Sequence, residues 1–122
     1  MSDAEGPVLL VRLEGHLTTE VLDGALPKAD WDDRAVMIVD CSTMTGYDGA
    51  ARSEFVRWHR AHRERIAAVA VVTEKPLWHL VVSAMSLASG QQMRAFDDLR
   101  SARSWVRDGF PRHSSRPPRR AE

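Results

Sequence analysis

The chain has 122 residues and a mass of 13.7 kDa, which fits one domain, because two cores of ordinary size would each fall near the lower limit for independent folding. Hydrophobic residues make up 43% of it and charged residues 28%, the balance of a globular chain and not of a disordered one. Lys plus Arg and Asp plus Glu number 17 each, so no net field recruits nucleic acid or an anionic membrane. Cys41 is the single cysteine, which excludes an internal disulfide and an all-cysteine zinc site and favours a reducing compartment. The acidic, apolar-poor start Met1-Ser2-Asp3-Ala4-Glu5-Gly6 is unlike a secretory signal, and no stretch is apolar for long enough to span a bilayer. A cytoplasmic protein is the expectation.

The run Val8-Leu9-Leu10-Val11-Arg12-Leu13-Glu14 begins apolar, ends in alternation and meets Gly15, so it reads as a strand. Thr18 or Thr19 then caps a short helix with Val21, Leu22, Ala25 and Leu26 at helical spacing, interrupted by Pro27 and ending near Trp31. Ala35-Val36-Met37-Ile38-Val39 is a central strand running into Asp40-Cys41-Ser42-Thr43, followed by a loop through Gly46. Asp48 has the side chain of an N-cap, and Ala51, Phe55, Trp58, His62 and Ile66 recur along one face of the next helix. Its opposite face carries Ser53, Arg57, Arg60 and Glu64.

Ile66 to Thr73 is a second buried strand, and Pro76 suits the first turn of a helix reaching about Ala88 before Gly90 ends it. On that helix Leu77, Leu80, Val81, Ala84, Leu87 and Ala88 are the expected core face, while Trp78, Val82 and Met85 cluster on a second side. Only His79, Ser83 and Ser86 form a polar stripe. A helix so nearly apolar all round needs a second cover, which makes Trp78, Val82 and Met85 a candidate contact for another subunit or for an apolar ligand. Gln91 to Phe96 alternates weakly as a last strand, and Asp97 or Asp98 opens a closing helix with Leu99, Ala102, Trp105 and Val106 on one side. The order is βαβαβαβα in a single α/β domain over residues 7–110, which implies a mostly parallel sheet with right-handed crossover helices. Residues 1–6 and the Pro-, Ser- and Arg-rich residues 111–122 read as disordered flanks.

Tests for catalysis fail at each motif. Six residues after Cys41 stands Tyr47, so no Cys-x5-Arg phosphate loop exists, and Cys41 reads as a small hydrophobe. His59 and His62 are three apart but have no carboxylate or third histidine at a telling distance, so no metal is expected, and His62 reads as a core-edge histidine with a backbone partner. No Gly-x-Ser-x-Gly, Gly-x-Gly-x-x-Gly or P-loop is present, leaving no support for a serine nucleophile, a nucleotide or any other cofactor.

Several stretches carry a family likeness: Glu14-Gly15-His16-Leu17-Thr18-Thr19-Glu20, Arg65-Ile66-Ala67-Ala68-Val69-Ala70-Val71, and the run from Met93 to Val106, in which Phe96 closes a strand before an acidic helix start and Ala-x-x-Trp. From about Pro7 to Val106 the chain resembles the SpoIIAA-like family, relatives of the STAS domains of anti-sigma-factor antagonists and stressosome proteins. Val39 to Ala51 is similar to the STAS switch loop, in which a strand-end Asp precedes Ser and Thr and a second Asp begins a helix; Asp40, Ser42, Thr45 and Asp48 fit that pattern. In switching members the phosphorylated hydroxyl lies two residues past the second Asp, where this chain has Ala50.

The resemblance therefore implies a noncatalytic protein-interaction module of a bacterial-type regulatory assembly, without the usual phosphoacceptor. Its expected partner surface is Asp40, Ser42, Thr45, Tyr47, Asp48, Gly49, Ala50 and Ser53. The family is also similar in outline to CRAL-TRIO lipid carriers, so a carrier or sensor of a small apolar, lipid-like ligand is the alternative. A protein partner is thus expected, with a homodimer or an apolar small molecule as further candidates, and no nucleic acid.

Overall fold

A computed structural model describes residues 8–27 and 34–109. The flanks 1–6 and 111–122 and the region of Trp31 lie outside the described residues. The elements run β1 (Val8–Leu17), α1 (Thr19–Ala25), β2 (Ala35–Tyr47), α2 (Gly49–Ala61), β3 (Ile66–Val72), α3 (Pro76–Ser89), β4 (Met93–Phe96) and α4 (Leu99–Arg107). All neighbouring strands pair in parallel, in the order β1-β2-β3-β4. Because each of the first three crossovers steps in the same direction along the sheet, right-handed connections place α1, α2 and α3 on one face. Their residues Leu22, Ala51, Phe55 and Val82 share one core with Val11, Met37, Val39 and Val69. α4 covers the other face, packing Ala102 and Trp105 on Ile38, Ala68, Ala70 and Val72. The βαβαβαβα reading holds.

Several boundaries move, each for a local reason. Gly15 does not end β1, because its left-handed φ of 67° absorbs a register shift and lets pairing resume as far as Leu17 opposite Tyr47. The segment expected as a loop through Gly46 is therefore strand, and β2 is 13 residues long. α1 ends at Ala25 ahead of Pro27 and not near Trp31, with Thr18 as the capping residue: its hydroxyl accepts from the Val21 N–H at 3.2 Å. β4 starts at Met93, since Gln91 turns inward and its side-chain amide donates to the Ile66 carbonyl at 2.9 Å. Asp98 caps α4 by accepting from the Ser101 N–H at 2.7 Å, a bond that holds its carboxyl below the usual range.

The largest correction concerns α3. Leu77, Leu80 and Leu87, assigned to the core by hydropathy, are 73%, 67% and 87% exposed, and Ala84 and Ala88 are exposed with them. Val82 is buried, and Trp78 and Met85 pack half-buried against the same core. The helix is turned by its polar residues. Ser86 Oγ donates to the Gln91 carbonyl at 2.7 Å and accepts from the Met93 N–H at 3.1 Å, while Ser89 Oγ accepts from the Gln91 N–H at 3.1 Å. His79 Nε2 lies 2.8 Å from the Thr73 carbonyl and 3.2 Å from an Asp97 carboxylate oxygen, two acceptors that fix its proton on Nε2. Two of the three residues of the polar stripe, His79 and Ser86, thus tie α3 to the ends of β3 and β4 together with Ser89, while Ser83 stays exposed and bonds back to the His79 carbonyl.

On α2 the buried face is Ala51, Phe55 and His59, with Trp58 and His62 half-buried beside it. His62 Nδ1 donates to the Trp58 carbonyl at 2.8 Å, the expected backbone partner. His59 is fully buried, with ring centroids of Phe55 and Trp58 at 4.4 and 4.9 Å and no hydrogen-bond partner for either nitrogen. Burial, with a smaller contribution from His62, pushes its pKa down to about 3. The unfolded chain takes up this proton near pH 6.5 and the folded chain does not, so stability is full above that pH and falls as pH drops toward 3. The slope from this residue approaches about 1.4 kcal/mol per pH unit. Urea unfolding between pH 7 and 4 is expected to show a shallower loss for His59→Leu than for the wild type; parallel curves would exclude a neutral buried imidazole.

Candidate functional site

The carboxyl ends of parallel strands are where loops leave the sheet and ligands find a crevice. Here that edge gathers Leu17 and Thr18, Tyr47 and Asp48, and Thr73 to Lys75. The two groups of residues singled out from the sequence touch there through one pair. The Tyr47 ring, at the end of β2, meets the Trp78 ring, in the first turn of α3, edge to face with centroids 5.5 Å apart. Lys75 latches the junction: its ammonium donates to the Met44 carbonyl at 3.2 Å and sits 4.7 Å over the Trp78 ring.

Beneath this pair is a cavity of about 60 Å³ between α2, α3 and the sheet. Leu13, Val39, Cys41 and Phe55 form its floor, Val82 and Met85 one wall, and Tyr47, Arg52 and Trp78 its rim. Its walls are apolar, and the volume is well below the roughly 300–1,000 Å³ of pockets that enclose drug-sized molecules. It has room for the end of an aliphatic side chain. The three residues Trp78, Val82 and Met85 therefore turn inward onto a cavity, and the outward face of α3 belongs to the leucines.

The switch-loop residues divide by environment. Asp40 lies inside β2, nearly buried, where its carboxylate accepts from the Ser42 N–H at 3.0 Å and the Ser42 hydroxyl at 2.7 Å, with Arg12 Nε at 3.6 Å. Ser42 and Thr45 are exposed on the strand, and Asp48, Gly49, Ala50 and Ser53 are exposed on the first turns of α2. Asp48 stands at the N-cap position but its side chain does not cap. Its carboxylate instead takes a 2.7 Å hydrogen bond from His16 Nε2, and the His16 ring lies so close over Gly46 that a Cβ there would sit 3.2 Å from Nδ1. The first turn of α2 is thereby left without a side-chain cap. The residues that the sequence did not flag are Lys75 and His16; both act across the chain, at separations of 31 and 32 residues from their partners, where no local spacing points to them.

Among the described residues no group of three His, Cys, Asp or Glu is placed to hold a metal ion, and no helix is long and apolar enough to cross a membrane. Burial, and then the Asp40 carboxylate, push the Cys41 thiol up to about 12. Cys41 behaves as part of the cavity floor.

The SpoIIAA-like family profile matches residues 8–107. The chain belongs to the SpoIIAA-like family. Among solved structures it is similar to an uncharacterized protein of the DUF3478 family with a SpoIIAA-like fold, from Shewanella loihica PV-4, at 18% identity and a TM-score of 0.65 over 80% of this chain and 82% of that one. That likeness shows the fold. No curated protein matches the chain.

As the only cysteine, Cys41 gives one thiol signal per chain. Its thiolate fraction at pH 8 should be about a thousandfold lower folded than at the ordinary value of 9.0. Modification by a disulfide reagent is therefore expected to be slower by more than about tenfold in buffer than in denaturant, since the greater nucleophilicity of a high-pKa thiolate offsets part of the lost thiolate. Comparable rates in the two conditions would make the thiol accessible and reopen a role for it.

Proposed function

We propose that this chain is a noncatalytic protein-interaction module of a bacterial-type regulatory assembly, similar in role to anti-sigma-factor antagonists. The partner docks on the carboxyl edge of the sheet, over Ser42, Thr45, Tyr47, Asp48, Gly49, Ala50 and Ser53, with Asp40 holding Ser42 in place. The observation that carries this reading is the continuity of the exposed start of α2 with the Tyr47–Trp78 rim and its side-chain-sized apolar cavity. Hot spots of protein interfaces have this form, an anchor side chain in a small desolvated pocket ringed by weaker contacts. The position where STAS relatives carry a phosphoacceptor is Ala50, so recognition here does not use that phosphate. Ser53, one turn on and exposed, is the nearest substitute hydroxyl on α2.

The second reading, a carrier of a small apolar ligand, is favoured by the apolar walls at Trp78, Val82 and Met85. It requires α2 and α3 to part, because 60 Å³ does not hold a lipid chain. Native mass spectrometry separates the two. A carrier retains an adduct that Met85→Trp, by filling the cavity, abolishes.

For the leading reading, wild type, Ala50→Arg and the α4-face control Arg100→Glu serve as baits in extracts of the source cell. Both substitutions are on exposed positions and should leave unfolding free energy within about 0.5 kcal/mol of wild type. A partner held by wild type and Arg100→Glu, unaffected by phosphatase and lost at least tenfold with Ala50→Arg, is the expected result. Equal retention by Ala50→Arg moves the surface elsewhere, and capture that needs kinase or phosphatase treatment overturns phosphate-independent recognition.

A further inference from the structure

The outward face of α3 presents Leu77, Leu80, Ala84 and Leu87 at steps of three, four and three. This is the a/d spacing of a helix that pairs with another helix. The leucines are two thirds or more exposed, and not one of the 14 residues from Pro76 to Ser89 is charged. Exposed leucines scattered singly are ordinary; a continuous stripe with no charged residue on its helix is a surface that another surface covers.

We propose that this face is a self-association surface on which a second copy of the chain docks with its α3 antiparallel, about a two-fold axis at the level of Val82, beside the exposed Ser83. The ends of the helix select this occupant and this direction. Glu74 and Lys75 are both exposed just before the first turn, but the Lys75 ammonium is held by the Met44 carbonyl and the Trp78 ring, which leaves the Glu74 carboxylate as the charge free to meet a second copy. At the other end Arg60 donates to the Ala88 carbonyl, and the Arg63 guanidinium lies against Gly90, both side chains being exposed. Glu64 is the acidic residue nearest to them in sequence. An antiparallel pair sets Glu74 of each copy beside the Arg60 and Arg63 pair of the other, twice by symmetry, and opposes the two helix dipoles. A parallel pair sets Glu74 against Glu74 and arginine against arginine. In the antiparallel register Leu77 meets Leu87 and Leu80 meets the small Ala84, which lets the backbones approach.

The helix spans about 21 Å, so a contact confined to it lies at the small end of specific interfaces and gives association in the micromolar range. This surface is separate from the carboxyl-edge cleft, and its test does not involve a foreign partner. Sedimentation velocity of the full chain from micromolar to millimolar concentration should show a monomer–dimer equilibrium. Leu80→Glu with Leu87→Glu should remain monomeric throughout at an unchanged thermal midpoint, because both side chains are exposed in the single copy. Glu74→Arg should weaken pairing severalfold, and adding Arg63→Glu should restore it. A short bis-maleimide should link Ser83→Cys to itself and leave Glu74→Cys unlinked. A wild type that is monomeric at every concentration, a dimer that survives the double leucine substitution, or efficient linking through Glu74→Cys each overturns the proposal.

Discussion

The hydrogen bonds that Ser86, Ser89 and His79 make to the backbone around β3 and β4 decide which way α3 faces. Turning the helix by half a revolution would bury Leu77, Leu80 and Leu87 and expose Trp78, Val82 and Met85. Each such side chain is worth about 1.5–3 kcal/mol on full burial, so the two settings nearly cancel in hydrophobic free energy. The polar bonds do not cancel. Four of them contribute about 0.5–1.5 kcal/mol each, and losing them would also leave the Gln91 and Met93 backbone groups unpaired where the chain enters β4, at about 1–3 kcal/mol per group. A minority of polar atoms therefore fixes the orientation of an apolar helix, and with it both the cavity wall and the leucine stripe.

That orientation also places Trp78 over the end of β2. Tyr47 reaches it only because β2 continues beyond Asp40, past the bulges opposed to β1, to a thirteenth residue. Lys75 then closes the corner by joining the β3–α3 turn to the Met44 carbonyl. The cavity below is the space that these three constraints leave between α2 and the sheet, which is why it is walled by apolar side chains and rimmed by amphipathic ones. His59, buried on the same helix that supplies Phe55 to the cavity floor, leaves two ring nitrogens without partners. Such a group costs stability and is sensitive to acid, in contrast with its neighbour His62, whose Nδ1 is satisfied one turn back.

What was legible in the sequence depended on forces that act locally. Apolar runs such as Ala35–Val39 and Ile66–Val72 announce buried parallel strands, and Thr18 and Asp98 cap helices through bonds spanning three residues. Hydropathy failed on α3 because it assigns serine and histidine to solvent, whereas these hydroxyls and this imidazole face backbone acceptors and donors. It failed on His59 because a helix packed between α1 and α3 buries a wider arc than one apolar stripe, and that arc takes in the next turn after Phe55. Asp48 occupied its expected position with a different partner, since His16, drawn close by the glycine at position 46, competes for the carboxylate that would otherwise cap α2. Contacts over about thirty residues carry no periodic signature.

Asp40 shows how a charge is kept in the middle of a sheet. Its neighbours in register are Arg12 on β1 and Val72 on β3, so one side offers a guanidinium at 3.6 Å and the other nothing polar from the side chain. The carboxylate is completed from its own strand, by the amide and hydroxyl of Ser42 two residues on. A hydrogen bond to a charged group contributes about 1.5–3 kcal/mol, enough to offset partial desolvation where a lone ion pair at that distance would not. The consequence reaches the surface. Ser42 is exposed yet held by Asp40, and this part of the carboxyl edge is ordered by the protein's own carboxylate rather than by an added anion. A negative group arriving at Ser42 would meet that carboxylate at hydrogen-bonding range and be repelled.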